Sequence, residues 1–131
     1  MATKKSIKGT KTERNLVAAY MSESAAYSRY TFYAQQATKE NYFPIARVFA
    51  STADNELRHA KVFFKFLEGG VVPCELNVDA GVIGDTASNL ATAAHEELVE
   101  GVEQYQNAAK DADAEGFTDI ANHFREIAEI E

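Results

Sequence analysis

The stretch FASTADNELRHAKVFFKFLEGG, Phe49 to Gly70, decides the fold. Phe49, Glu56 and Phe63 stand seven residues apart, nearly two helical turns, so their side chains stack on one face. Ala53 and Ala60 fall on the same stripe, and Ile45, Val48, Thr52 and Leu67 extend it at helical spacing. Pro44 suits a first helical turn, and the pair Gly69-Gly70 stops the helix near Glu68. Glu56 therefore lies where a core residue should be, with His59 one turn on. A carboxylate and an imidazole inside a bundle are costly unless they are paired or bind metal.

The segment recurs. Displaced by 75 residues, Ile45 meets Ile120, Ala46 meets Ala121, Phe49 meets Phe124, Ala53 meets Ala128 and Glu56 meets Glu131. Upstream, Tyr30 meets Tyr105, Ala34 meets Ala109, Ala37 meets Ala112 and Glu40 meets Glu115. The chain thus reads as one all-α domain, residues 1–131, made of two repeated αα-hairpins. The first helix runs from about Lys11 to Lys39, with Thr10 and Glu13 as a capping box. A break follows at Glu40-Asn41. The third helix opens at Asp85 or Thr86 and ends at Gly116; the fourth starts near Thr118 and buries Ile120, Phe124, Ile127 and Ala128. Residues 71–84, with Pro73 and two glycines, have no period and form a long crossover between the hairpins.

Each helix carries acid on its apolar stripe. Glu23 follows Ala19 and precedes Tyr27 and Tyr30, four and seven residues on. Leu90, Ala93 and Ala94 lead to Glu97, with Glu100 one turn later beside Gly101. A two-metal bundle takes one Glu from each of two helices and a Glu-x-x-His from each of the other two. Glu23 and Glu97 fit the first role, and Glu56 with His59 fits the second. Glu131 opens the remaining motif, whose histidine would fall at position 134, past the last residue. Any one of these acids alone is more simply a solvated face; their joint placement favours a metal pair, which bridging carboxylates hold roughly 3.5–4 Å apart. His95 and His123 lie off the stripes and read as solvated, and Cys74 reads as a free thiol.

Composition narrows the function further. The net charge of −7 argues against binding a phosphate backbone. No apolar run approaches a membrane span, and Met1 to Lys11 has no apolar signal core. A single cysteine makes no intrachain disulfide, so a cytoplasmic setting is expected.

These residues resemble the rubrerythrin family. Lys8-Gly9-Thr10-Lys11-Thr12-Glu13 is similar to its N-terminus, and Ser22-Glu23-Ser24 with Arg29-Tyr30 to its first-helix ligand motif. Phe49 to Gly70 is close to its second helix almost residue for residue. Ala80 to Gly84, Asn89-Leu90, Glu97-x-x-Glu100, Tyr105 and Glu115-Gly116-Phe117 continue the likeness. The resemblance implies a ferritin-like four-helix bundle holding two non-haem irons. It implies Glu23, Glu56, Glu97 and Glu131 as iron ligands, with His59 and Glu100 as alternative ligands of the first iron. That iron would exchange imidazole for carboxylate on oxidation, because the harder ferric ion prefers anionic oxygen. Tyr30 and Tyr105 would hold carboxylates by hydrogen bonds.

Three departures stand out. The run Ala94-His95-Glu96-Glu97 leaves a one-residue ambiguity between Glu96 and Glu97, which the stripe resolves toward Glu97. Gly101 replaces a bulky residue. The four cysteines of the usual rubredoxin domain are absent from this chain.

The implied activity is reduction of hydrogen peroxide, with electrons from a rubredoxin-type protein. A homodimer is expected, and the crossover is long enough to let two copies exchange helices. The alternatives are a ferritin-like iron-oxidising protein and a metal-poor helical bundle without turnover.

Overall fold

The computed structural model describes residues 5–77, 80–96 and 102–130. These residues form five helices and no strand: α1 Lys11–Lys39, α2 Phe43–Phe64, α3 Thr86–Glu96, α4 Tyr105–Ala114 and α5 Thr118–Ile130. α1 packs along α2, α4 packs along α5, and α1 meets α3 and α4. The architecture is all-α and has the arrangement of a ferritin-like four-helix bundle, α3 and α4 occupying the two ends of the third helix read from sequence. Residues 102–104 make a π-helical turn just before α4.

The two hairpins turn in the same way. Asn41 takes a left-handed conformation, φ 65°, and Gly116, 75 residues later, takes φ 84°. Tyr42 N–H reaches back to the Ala37 carbonyl and Phe117 N–H to the Ala112 carbonyl, each at 2.8 Å. Asn41 N–H bonds Thr38, and Gly116 N–H bonds Asp113, at 3.1 Å in both cases. This is the Schellman closure of a helix C-terminus, written twice. Asn is the side chain that best tolerates such a φ after Gly, which is why the first turn works without a glycine.

The turns also clamp the opposite hairpin. Glu115 accepts from the Thr12 N–H at 2.7 Å, the Thr12 hydroxyl at 2.6 Å and the Lys11 N–H at 3.2 Å, at the start of α1. Glu40 accepts from the N–H of Thr86 at 2.8 Å and from its hydroxyl, at the start of α3. A carboxylate at a helix N-terminus satisfies orphan donors and meets the positive end of the dipole. Both carboxyls sit below the usual glutamate range. For Glu40 the Thr86 hydroxyl is the largest cause. For Glu115 partial burial pushes upward, and the bonds from Thr12 and Lys11 outweigh it.

Several boundaries and faces differ from the sequence expectation. α2 ends at Phe64, short of Glu68, because Phe66 and Leu67 tighten into i→i+3 bonds before Gly69. Glu13 reaches the Gly9 N–H rather than closing a reciprocal box on Thr10, whose hydroxyl accepts from the Glu13 N–H at 3.1 Å. Val48 is exposed. On α3 the buried residues are Thr86, Asn89 and Glu96, while Leu90 and Ala94 are exposed. Polar ties set that rotation: Thr86 to Glu40, Asn89 to both backbone groups of Gly84, and Glu96 to Arg29. Asp85 provides the cap, accepting from the Ser88 N–H at 2.8 Å. On α5, Ile120, Phe124, Ile127 and Ala128 are all buried.

Candidate metal centre

Two apolar clusters fill the interior. One gathers Phe63, Tyr105, Phe117 and Phe124 with the alanines of α4 and α5; the other gathers Ala26, Tyr30, Tyr33, Phe49 and Ala53. Glu23 lies between Ala19 of the first and Ala26 of the second. Glu56 lies between Ala53 of the second and Phe63 of the first. The acids thus occupy the seam between two hydrophobic bodies, where a stripe residue of each helix must point inward.

There Glu23, Glu56 and His59 offer ligand atoms all within 4.8 Å of one another. The glutamates are only 2% and 4% exposed. His59 Nδ1 stands 3.8 Å from Glu23 Oε2 and 4.0 Å from Glu56 Oε2. Tyr105 Oη donates to Glu23 Oε1 at 2.8 Å. Glu23 Oε2 is buried and has no hydrogen-bond partner among the described residues. An acceptor-only atom left that way in an interior costs about 1–3 kcal/mol or more, so its position is the one a cation would relieve. Two buried carboxylates and an imidazole form the donor set that suits a first-row divalent ion such as iron, and the residues present fit such a group.

The seam opens to solvent through a cleft of about 390 Å³. Glu56, His59 and Tyr30 line it together with Val48, Leu90 and Ile130. Val48 and Leu90, both exposed, are among its lining residues. Of the residues expected at the site, Glu23, Glu56, His59, Tyr30 and Tyr105 are brought to this seam. Glu97, Glu100 and Glu131 lie outside the described residues. His95 is exposed, and His123 sits on the surface of α5, its ring edge-on to Phe66 with centroids 5.0 Å apart.

Sequence reasoning passed over one charged contact. Arg29, next to Tyr30 on α1, pairs with Glu96 of α3 at 2.6 Å. The available signal was a lone cation beside the ligand stripe of an acidic protein, with two glutamates in succession on the facing helix.

The rubrerythrin family profile matches residues 14–131. This chain belongs to the rubrerythrin family. It is 51% identical to a rubrerythrin of Porphyromonas gingivalis over 127 residues, 97% of this chain and 64% of that protein. It is 45% identical to rubrerythrin-1 of Clostridium acetobutylicum, covering 97% of this chain and 67% of that protein. With a rubrerythrin of Nitratidesulfovibrio vulgaris the identity is 43%, over 97% of this chain and 66% of the relative. The chain therefore spans about two thirds of the length of these relatives. Among the described residues no helix is long and apolar enough to cross a membrane.

The repeat has a finer register than a single displacement. Thr12, Asn15, Leu16, Ala19 and Glu23 match Thr86, Asn89, Leu90, Ala93 and Glu97 at 74 residues, whereas Tyr30 onward matches at 75. The third helical segment holds one extra residue between its glutamate and its tyrosine. The π turn at 102–104 falls in that interval. An i→i+5 turn takes up one residue without changing the face that follows.

Proposed function

We propose that this chain forms the diiron centre of an oxidoreductase that reduces hydrogen peroxide to water. The observation that carries it is the cluster of Glu23, Glu56 and His59, the last two lining an open cleft, in a rubrerythrin-family bundle. Glu23, Glu56, Glu97, Glu100, Glu131 and His59 are the proposed iron ligands. When bound, two ferrous ions supply the two electrons that reductive cleavage of the O–O bond requires; two protons complete two waters.

The protein's own contribution is mostly electrostatic and geometric. Glu23 and Glu56 provide anionic oxygen that favours the more oxidised metal charge. His59 Nδ1 lies within 4.0 Å of both and gives a neutral alternative to Glu100. Tyr105 holds Glu23 by its hydroxyl and fixes which oxygen faces the centre. The repeat pairs Tyr30 with Glu97 in the equivalent role. The cleft, about 390 Å³, has room for peroxide and water, and Val48, Leu90 and Ile130 give its lining apolar surface.

Oxidised metal must be recharged, and a rubredoxin-type protein is the proposed donor. A homodimer is proposed because Met21, Phe32, Phe43, Leu57 and Phe64 of α1 and α2 are exposed, an apolar load that a second copy would cover. A cytoplasmic setting is in keeping with the single thiol.

The deciding experiment loads the chain with Fe(II) without oxygen, then adds peroxide or dioxygen in separate stopped-flow runs. Fast oxidation by peroxide, with two electrons consumed per peroxide and slow reaction with dioxygen, is expected. Faster oxidation by dioxygen with accumulation of a ferric mineral would favour an iron-oxidising protein. Absence of any Fe(II) binding would remove the reading.

A further inference from the structure

α3 is seated differently from its neighbours. α2 buries Phe49 and Phe63 together with Ala46, Ala53 and Ala60. The buried side chains of α3 are Thr86, Asn89 and Glu96, all polar, while Ala93 packs against an apolar cluster only partly buried. Two of those three polar residues tie the helix to α1. At its start, Thr86 gives its N–H and hydroxyl to Glu40, the residue that caps the end of α1. At its last residue, Glu96 meets Arg29 at 2.6 Å, with side chains only 6% and 16% exposed. The third, Asn89, bonds Gly84 in its own approach. The ties stand ten residues apart on α3 and eleven apart on α1, roughly 15 and 16 Å of helix, so both hold at once.

The same helix lines the metal cleft. Leu90, Ala93 and Ala94 meet it from α3, Glu56 and His59 from α2, and Tyr30 from α1. The Arg29 guanidinium lies over the Tyr30 ring, its central carbon 5.8 Å from the ring centroid, so the tie at the end of α3 stands beside a residue of the cleft. Elements with few buried apolar contacts are the first to open in a folded protein. A nearly buried ion pair is a sharp control on such an element, because removing one partner strands the other charge.

We propose that α3 is a gate on the metal cleft and that the Arg29–Glu96 pair is its latch. While the pair holds, α3 stays seated on α1 and access to Glu56 and His59 is restricted; when it parts, α3 lifts and both ligands open to solvent. Arg29 is thus a positioning residue: it acts on the site through the helix it holds. The gate deepens the metal-binding reading and rests on it for its consequence, so the latch is tested first on the metal-free chain.

The 131-residue chain, Arg29→Met, Glu96→Gln and Arg125→Met are compared. The last removes a pair of similar length, 2.7 Å to Asp113 between α5 and α4, and is the control. Amide hydrogen exchange is followed along α2 and α3. Access to the cleft is read from carbethoxylation of His59 by diethyl pyrocarbonate, with the more exposed His123 as internal reference. Cobalt(II) uptake is then timed by its visible absorption. Arg29→Met should speed exchange in α3 at least about tenfold and leave α2 within about threefold. His59 should react several times faster relative to His123, and cobalt should enter faster by a similar factor. Glu96→Gln keeps the side chain's size and guards against a Met variant that fails to fold; it should move all three readouts the same way by less. Arg125→Met should move none.

Equal acceleration in α2 and α3 would mean a general loss of stability and would overturn the proposal. So would faster exchange in α3 with His59 no more reactive, or an α3 indifferent to both latch variants. An unsubstituted chain that takes up no cobalt would remove the metal-binding reading, and the gate would then stand or fall on exchange and His59 alone.

Discussion

Replacing Tyr105 by Phe isolates one hydroxyl. The ring packs against Phe63 and Phe124, with centroids 5.3 and 5.9 Å away, and those contacts survive the change. What is lost is the 2.8 Å hydrogen bond to Glu23 Oε1, between residues 5% and 2% exposed. Hydrogen bonds to charged groups contribute about 1.5–3 kcal/mol. Removing a partner that orients a metal ligand costs about 10- to 100-fold in affinity. At about 1.4 kcal/mol per factor of ten, that is about 1.4–2.8 kcal/mol, comparable with the energy of the bond removed. Tyr105→Phe should therefore bind Fe(II) or Co(II) at least tenfold more weakly, measured by anaerobic titration. Tyr20→Phe is the control: that half-buried ring lies tilted against Phe64, centroids 5.1 Å apart, and the variant should bind metal as the unsubstituted chain does. Binding by Tyr105→Phe within threefold of the parent would show that the hydroxyl does not set the carboxylate, and the role given to it would have to be withdrawn.

The reciprocal clamp gives a pH signature. The folded-state pKa values of Glu40 and Glu115 lie below the ordinary 4.5, so both groups stabilise the fold above that pH, and the gain is lost as pH falls through the lowered values. The double variant Glu40→Gln/Glu115→Gln should melt lower than the parent at pH 7, and the gap between the two should narrow as pH falls below 4.5; a gap that persists unchanged in acid would refute the linkage. Phe124, fully buried against Phe63 at 5.0 Å, should cost about 3–5 kcal/mol on replacement by Ala, read from urea denaturation.

Much of the fold was legible because the repeat writes it twice. The stripe Phe49–Glu56–Phe63 places a carboxylate in the interior by spacing alone, and Glu23, Tyr30 and Tyr105 follow in the same way. The rotation of α3 was not legible. Apolar periodicity pointed to Leu90 and Ala94, but that segment is held by Thr86, Asn89 and Glu96, and polar contacts of this kind leave no period in a hydrophobicity pattern. The left-handed Asn41 was hidden for a similar reason: its partner in the repeat is Gly116, and only the shared backbone bonds reveal that the two play one part.

The displacement of 75 concealed something more useful than it showed. It pairs the tyrosines and the second helices of both hairpins, yet it sets Glu23 against Leu98 and leaves the match between Glu23 and Glu97 invisible. At 74 that match appears with four others at helical spacing. Seven residues separate Glu23 from Tyr30, and eight separate Glu97 from Tyr105. In an uninterrupted α-helix the eighth residue would turn Tyr105 about 100° off the face that its repeat partner occupies. Tyr105 is nevertheless buried and bonded to Glu23, as Tyr30 is buried beside Phe49. The π turn at 102–104 is what reconciles the two, absorbing the added residue before α4 begins. The insertion also falls in the interval that contains Glu100, which has only Ala25 or Ala26 as its counterpart in α1. The sequence asymmetry of the two hairpins thus gathers in the interval 96–105: an added residue, a carboxylate without a partner in the repeat and, at its start, the Glu96 that pairs with Arg29.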